Sequence, residues 1–151
     1  MLKQQIDKDI KAALLSQDQF TVNTLRGLKS AILYAEVASE KREEGLDDEA
    51  IGLVIAKEVK KRAESAELYI KGRNKEMADK ELNEKALLEK YLPKQLADDE
   101  IGEIVDNVMN EMQDVTIKDM GKIIGLVKTR TGSSADGSKI SEIVKNRINK
   151  K

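Results

Sequence analysis

The residues with the clearest chemical potential are lysines and arginines near the C-terminal end of the chain. The set comprises Lys118, Lys122, Lys128, Arg130 and Lys139, and extends to Lys145 and Arg147. Ammonium and guanidinium groups donate hydrogen bonds to phosphate oxygens, and such contacts position a nucleic acid without reading its bases. If one surface presents these side chains together, they would bind the phosphate backbone of a structured RNA.

Two glycines lie within this set. Gly121 and Gly125 are four residues apart, so they share one face of any helix that contains them. Glycine inside a helix costs about 1 kcal/mol relative to alanine, which indicates a compensating gain. That gain is the close approach either of a neighbouring helix or of a sugar–phosphate backbone, and the spacing alone does not separate the two. We count both glycines among the candidate RNA-binding residues.

Groups suited to catalysis are scarce. The chain has no His and no Cys, which excludes imidazole and thiolate chemistry. The Gly132-Ser133-Ser134 segment offers a hydroxyl nucleophile, but the spacing singles out no base for it. Paired acids such as Asp98-Asp99 are typical of helix N-termini. The sequence therefore predicts a non-enzymatic protein with no catalytic residues, no cofactor, no metal and no small-molecule substrate.

Charge is unevenly distributed along the second half of the chain. Seven acidic residues and no basic ones lie between Asp98 and Asp114, whereas nine basic and three acidic residues lie between Val115 and Lys151. This pattern suggests a surface that orients on a polyanion. For the charge run alone we favour a helical bundle whose lysines serve only solubility, because lysine-rich helix faces are common in soluble proteins.

The elements that must position these residues are helices. Of the 151 residues, 40% are hydrophobic, 36% charged and 3% aromatic, with one proline, and the apolar residues recur at three- and four-residue steps. The predicted fold class is all-α. No apolar stretch approaches the roughly 18 residues of a membrane helix, and the N-terminus lacks the apolar segment of a signal peptide. We therefore expect a cytoplasmic protein that makes no membrane contact.

The helix-breaking residues predict two domains, 1–93 and 94–151, divided near the single proline, Pro93. The first is a bundle of about four helices. Its second helix is expected to run to about Glu44, and its third to begin at a cap on Asp47 and end at Gly72. The second domain has three shorter helices. The sixth helix opens at Thr116-x-x-Asp119 with Ile117 facing inward, and the seventh begins near Asp136.

Five segments in order resemble the landmarks of the GatB/YqeY family. They are TLRGLKSAI at 24–32, KEVKKRAESAELYIKGR at 57–73, LEKYLPKQL at 88–96, DMGKIIG at 119–125 and ADGSKISEIVKNRI at 135–148. The chain thus looks like a stand-alone YqeY-type protein, similar to the helical tail of the GatB subunit of the glutamyl/aspartyl-tRNA amidotransferase.

The resemblance implies an N-terminal helical bundle followed by a three-helix domain that contacts tRNA. Carbon–nitrogen ligase activity with glutamine as amide donor belongs to relatives whose catalytic parts this chain lacks. In the family a basic residue usually stands between the loop glycine and the Ala-Asp-Gly motif, where this chain has Ser133 and Ser134. A phosphate contact at that place would fall to Lys128 or Arg130.

The leading expectation is a tRNA-interacting accessory protein, with tRNA and an aminoacyl-tRNA-related enzyme as partners. The alternative is a protein-binding helical adaptor that does not touch nucleic acid. A DNA-binding three-helix domain is less well supported, because no helix clusters the Arg, Asn and Gln side chains that read base edges.

Overall fold

The computed structural model describes residues 1–150. Seven α-helices and two short 3-10 helices make up its regular structure, and residues 1–150 contain no β-strand, which confirms the all-α class. The chain divides into two compact units, the first Met1–Leu92 and the second starting at Pro93. No helix within residues 1–150 combines the length and apolar character needed to cross a bilayer.

The first unit contains four helices around an aliphatic core. They are α1 (Leu2–Leu15), α2 (Gln19–Ala38), α3 (Asp48–Lys71) and α4 (Lys75–Glu89). All four contribute buried side chains to one cluster, namely Ile6, Ile10, Leu25, Leu28, Ile32, Ile51, Ile55 and Leu88. Burial of these branched side chains at helical spacing is the main stabilising contribution to the unit.

Side-chain caps fix several helix starts. The Asp47 carboxylate accepts the Ala50 backbone N–H at 2.8 Å, as the sequence predicted, and Gly72 follows the last residue of α3. Asp18 accepts the Thr21 backbone N–H at 3.1 Å and the Thr21 hydroxyl at 2.6 Å, and these two bonds hold the pKa of Asp18 below its usual value.

The predicted extension of α2 to Glu44 is wrong. The helix ends at Ala38, and the chain turns back through Gly45, whose φ of +78° lies in the left-handed region. Glu36, on the buried side of α2, accepts the Leu46 backbone N–H at 2.9 Å. This hydrogen bond holds the loop against the helix it has just left, so a longer α2 is excluded.

The second unit is a three-helix arrangement with its own core. It consists of α5 (Asp98–Glu111), α6 (Met120–Thr131) and α7 (Gly137–Asn149). Its core residues are Ile101, Val105, Val108, Met109, Ile123, Val127, Ile140 and Val144. Leu96 joins the unit by donating its backbone N–H to the Ser134 carbonyl at 2.8 Å.

The start of α6 differs from the prediction in one respect. The Thr116–Asp119 cap is present, since the Asp119 carboxylate accepts the Thr116 N–H at 2.9 Å. It caps a 3-10 helix, Ile117–Asp119, that leads into α6. A 3-10 turn rotates side chains differently from an α-turn, and Ile117 is 63% exposed instead of facing inward. At α7, Asp136 accepts the Ser138 N–H at 3.0 Å, which confirms that start.

Candidate nucleic-acid interface

The candidate residues of the second unit divide according to whether they are ion-paired. Arg130, Lys139 and Arg147 are each bound to a carboxylate of α5. Their partners are Glu111 at 2.6 Å, Asp98 at 2.9 Å and Asp106 at 2.9 Å, respectively. The acidic helix therefore neutralises part of the cationic segment through pairs that cross from α6 and α7 to α5.

Lys139 shows the electrostatic consequence of this pairing. Its ammonium group donates a hydrogen bond to Asp98, and that bond, with the charge of Asp98, raises the pKa of Lys139 above its usual value. The lysine stays charged, but its charge is already compensated. A phosphate group would have to compete with Asp98 for it.

Arg147 packs against Gly102 of α5, and the sequence alone did not predict this contact. A Cβ atom on Gly102 would lie 2.5 Å from Arg147 Nη2, so this buried glycine of α5 leaves room for the guanidinium that binds Asp106. A glycine inside a strongly amphipathic acidic helix was the signal that could have revealed it. An open cleft of about 390 Å³ beside Arg147 is lined by Asp106, Met109, Asn110, Arg147 and Lys150.

Most of the remaining candidates lie on the solvent side of α6 or in the 3-10 helix that leads into it. Lys118, Lys122 and Lys128 are exposed and form no ion pair within residues 1–150. Lys122 and Lys128 share one side of α6 with Gly121 and Gly125, because these residues follow each other at three- or four-residue spacing, and Lys118 lies in the 3-10 helix that leads into α6. We call these five residues the α6 face. Lys145 is also exposed and unpaired within the described residues, but it belongs to α7.

The two glycines of the α6 face are open to solvent. A Cβ atom built on Gly121 or Gly125 would meet nothing within 4 Å. No neighbouring helix among residues 1–150 therefore packs closely against them, which removes one of the two explanations for these glycines within the chain. Lys128 starts from the same side of α6, but its side chain extends towards the start of α7. Its Cε would lie 3.1 Å from a Cβ atom on Gly137.

The two serines noted as possible nucleophiles lie outside the α6 face. Ser133 and Ser134 lie in the 3-10 helix Gly132–Ser134, where the Ser133 and Ser134 carbonyls accept N–H groups of Gln95 and Leu96. Residues 1–150 contain no group of three or more acidic side chains arranged to hold a metal ion. The chemistry available on the α6 face is hydrogen bonding and charge attraction to anions.

Comparison with known proteins places the chain in a family. The family described as Yqey-like protein matches residues 3–148. The chain is 31% identical over 86 residues to "Altered inheritance of mitochondria protein 41, mitochondrial" of Kluyveromyces lactis, which covers 57% of this chain and 45% of that protein. It is 26% identical over 110 residues to the protein of the same name in Lachancea thermotolerans, covering 72% and 58%.

These relatives correct one expectation. Both are named as mitochondrial proteins, which contradicts the expected cytoplasmic location. The composition had indicated only that no segment was apolar enough for a membrane or a signal peptide, and that observation does not define a compartment.

The chain spans about half the length of these curated relatives. Because the family match extends over nearly all of its residues, the chain belongs to the Yqey-like protein family.

Proposed function

We propose that this protein is a non-catalytic accessory protein that binds structured RNA of the tRNA class through the α6 face. In this proposal it is functionally related to the tail of the GatB subunit of the tRNA-dependent amidotransferase, and an aminoacyl-tRNA-related enzyme is the protein partner. Lysine ammonium groups contact phosphates, and the shape of the RNA provides the selectivity.

The observation that carries the proposal is the bare backbone of Gly121 and Gly125 between unpaired lysines. Each glycine lacks any neighbour within 4 Å of a Cβ position, so nothing within the described chain requires a glycine there. A sugar–phosphate backbone can approach a helix more closely where side chains are absent. Lys122 then lies within one turn of that contact on the same side of α6, and Lys118 lies in the 3-10 helix immediately before it.

The proposed contact set is smaller than the one expected from sequence. Arg130, Lys139 and Arg147 are engaged with α5, which leaves the three lysines of the α6 face as the principal cations. Lys145 contributes at longer range. About three phosphate contacts correspond to modest affinity with a clear dependence on salt.

A salt series tests the proposal directly. Binding of unmodified tRNA, measured by fluorescence anisotropy between 50 and 300 mM KCl, is expected to weaken with a log–log slope of about −2 to −3. A single-stranded RNA of equal length should bind more weakly, because it lacks the folded shape. No binding at 50 mM KCl, or a slope near zero, would contradict the proposal.

Replacing Gly125 by Ala separates stability from binding. Alanine fits without a clash, so the variant should be more stable by about 1 kcal/mol because of its helix propensity. Its tRNA affinity should nevertheless fall several-fold, since the added methyl group holds the RNA backbone away from the helix. Urea unfolding and anisotropy measure the two effects on the same sample.

Gly27→Ala is the matched control, because Gly27 is equally open but lies on α2 of the first unit. It should gain similar stability and bind tRNA unchanged at submicromolar protein concentration. Equal RNA affinity of Gly125→Ala and Gly27→Ala would argue against close backbone approach at the α6 face.

A second candidate function, the protein-binding adaptor, is favoured by exposed apolar side chains at the end of α3. Leu68 is 68% exposed and Ile70 is 59% exposed. Apolar groups exposed in this way are typical of protein contacts. If tRNA does not bind, and a defined protein co-purifies with the wild type but not with Ile70→Asp, the adaptor function takes precedence.

A further inference from the structure

The exposed side of α2 is unusually poor in charge. In a chain that is 36% charged, this 20-residue helix has three charged residues, Arg26, Lys29 and Glu36. Glu36 is buried and bound to Lys3, and Lys29 is bound to Asp7 at 2.6 Å. Arg26 is left as the only charged residue of α2 without an ion pair within residues 1–150.

Large apolar side chains occupy this exposed side instead. Tyr34 is 81% exposed, Val37 55%, Leu33 47% and Phe20 39%. Solvent-facing positions of a helix in so highly charged a chain would ordinarily carry Lys or Glu. An apolar helix face of this extent is typical of a surface that another protein covers.

The spacing along this face is symmetric about one glycine. Phe20, Gly27 and Tyr34 follow each other at seven-residue intervals, and a seven-residue step rotates only about 20° around a helix. They therefore form a line about 21 Å long with Gly27 at its centre. A Cβ on Gly27 would meet nothing within 4 Å, so the centre of the line is open to a closely approaching helix.

We propose that a second copy of this chain covers the face, with the two α2 helices antiparallel and crossing at Gly27. A twofold axis through such a crossing places each residue opposite the partner's residue at the same distance on the other side of Gly27. Phe20 of one chain then packs on Tyr34 of the other, and the two Gly27 residues meet at the axis. The sequence is self-complementary in this orientation because the aromatic residues stand at equal distances on either side of the glycine.

The available area is that of a weak dimer. The four exposed apolar side chains offer at most roughly 500 Å² per chain, which gives at most about 1,000 Å² in total, the lower limit for a specific interface. Dimerisation is therefore expected in the micromolar range.

The two Arg26 side chains lie on the same side of the crossing and repel, so added salt should strengthen the dimer by screening them. RNA binding responds to salt in the opposite direction, so failure of one proposal is distinguishable from failure of the other.

Sedimentation equilibrium of the full chain between about 1 and 500 μM tests the proposal. The wild type should shift from monomer to dimer over this range, and Tyr34→Glu should remain monomeric at every concentration. Leu68→Glu is the matched control, because Leu68 is also highly exposed but lies on α3. It should dimerise as the wild type does. A wild type that is monomeric throughout would overturn the proposal and leave the face to a different protein.

A cross-linking experiment tests the orientation. The chain has no cysteine, so a single Gly27→Cys variant carries one thiol per molecule. Two α2 helices crossing at this residue bring the thiols within disulfide range, and oxidised glutathione should convert the dimer to a covalent species that thiol reductant reverses. Leu68→Cys should cross-link at least tenfold more slowly. Equal rates for the two variants would overturn the antiparallel crossing even if a dimer forms.

Discussion

Replacing Lys3 by Met will lower the free energy of unfolding of the first unit by about 1 to 2 kcal/mol at pH 7. Lys3 donates hydrogen bonds of 3.0 and 3.2 Å to the two carboxylate oxygens of Glu36, which is 2% exposed. Without the ammonium group the buried carboxylate loses its counter-charge. The expected loss lies below the range for fully buried ion pairs, because Lys3 is 44% exposed and the Leu46 N–H still donates to the same carboxylate.

The pH dependence identifies the cause of this loss. The Lys3 hydrogen bond, with that from Leu46, holds the pKa of Glu36 below 4.5 in the wild type. The stability from this carboxylate is therefore fully present above pH 4.5 and is lost as the pH falls through the lowered pKa of the folded state. In Lys3→Met the pKa of Glu36 moves back towards its usual value, because only the Leu46 hydrogen bond remains to oppose the effect of burial. The difference from the wild type should shrink as the solution is acidified.

Urea unfolding followed by circular dichroism at pH 7 and at pH 4 measures both effects. Glu36→Gln is the matched control, because it removes the charge at the buried end and leaves Lys3, 44% exposed, to be hydrated. We expect Glu36→Gln to cost less than Lys3→Met at pH 7. A cost for Lys3→Met that is the same at both pH values would indicate lost packing of the lysine stem instead of a lost ion pair.

The double variant Lys118→Gln/Lys122→Gln will bind tRNA about 10- to 100-fold more weakly than the wild type. Each lysine is proposed to donate a charge-assisted hydrogen bond to a phosphate, and neither has an ion pair within residues 1–150 that could offset its removal. The salt dependence should decrease by about two phosphate contacts, so the log–log slope approaches −1. Anisotropy titrations at several KCl concentrations supply both quantities.

The control Arg130→Gln/Lys139→Gln changes the net charge of the chain by the same amount on a different surface. Arg130 is bound to Glu111 and Lys139 to Asp98, so this variant should retain tRNA affinity within a few-fold and keep the wild-type slope. If both double variants lose affinity equally, net charge governs binding and the α6 face has no special role. If neither loses affinity, the RNA contact lies elsewhere.

Pairing between α5 and its neighbours changes how the charge of the second unit should be interpreted. The acidic and basic segments distinguished along the sequence are complementary surfaces within one three-helix unit, joined by Arg130–Glu111, Lys139–Asp98 and Arg147–Asp106. Exposed pairs of this kind add little stability, typically less than 1 kcal/mol each. Their larger effect is to determine which cations remain available to an external anion.

Local chemistry made much of the fold predictable. Caps such as Asp47 and Asp136 act on backbone groups two or three residues away, so the sequence contains both the donor and the acceptor of each bond. The end of α2 was not predictable in this way. It depends on Glu36 holding the Leu46 N–H, and on Lys3 arriving from another helix 33 residues earlier. The only local indication of this helix end was Glu36, a charged residue one turn after Ile32 in an otherwise apolar stripe.

By itself the sequence determined the helical class, most helix boundaries and the identity of the candidate cations, because periodicity and capping are short-range effects. Only the tertiary structure decided which cations remain unpaired and which glycines stay open. Arg147 and its partner Asp106 are 41 residues apart, and Gly102 matters because that guanidinium folds across it. Gly125 and Gly102 are both helical glycines in sequence, yet one faces solvent and the other faces an arginine, since only packing determines what lies opposite a missing side chain.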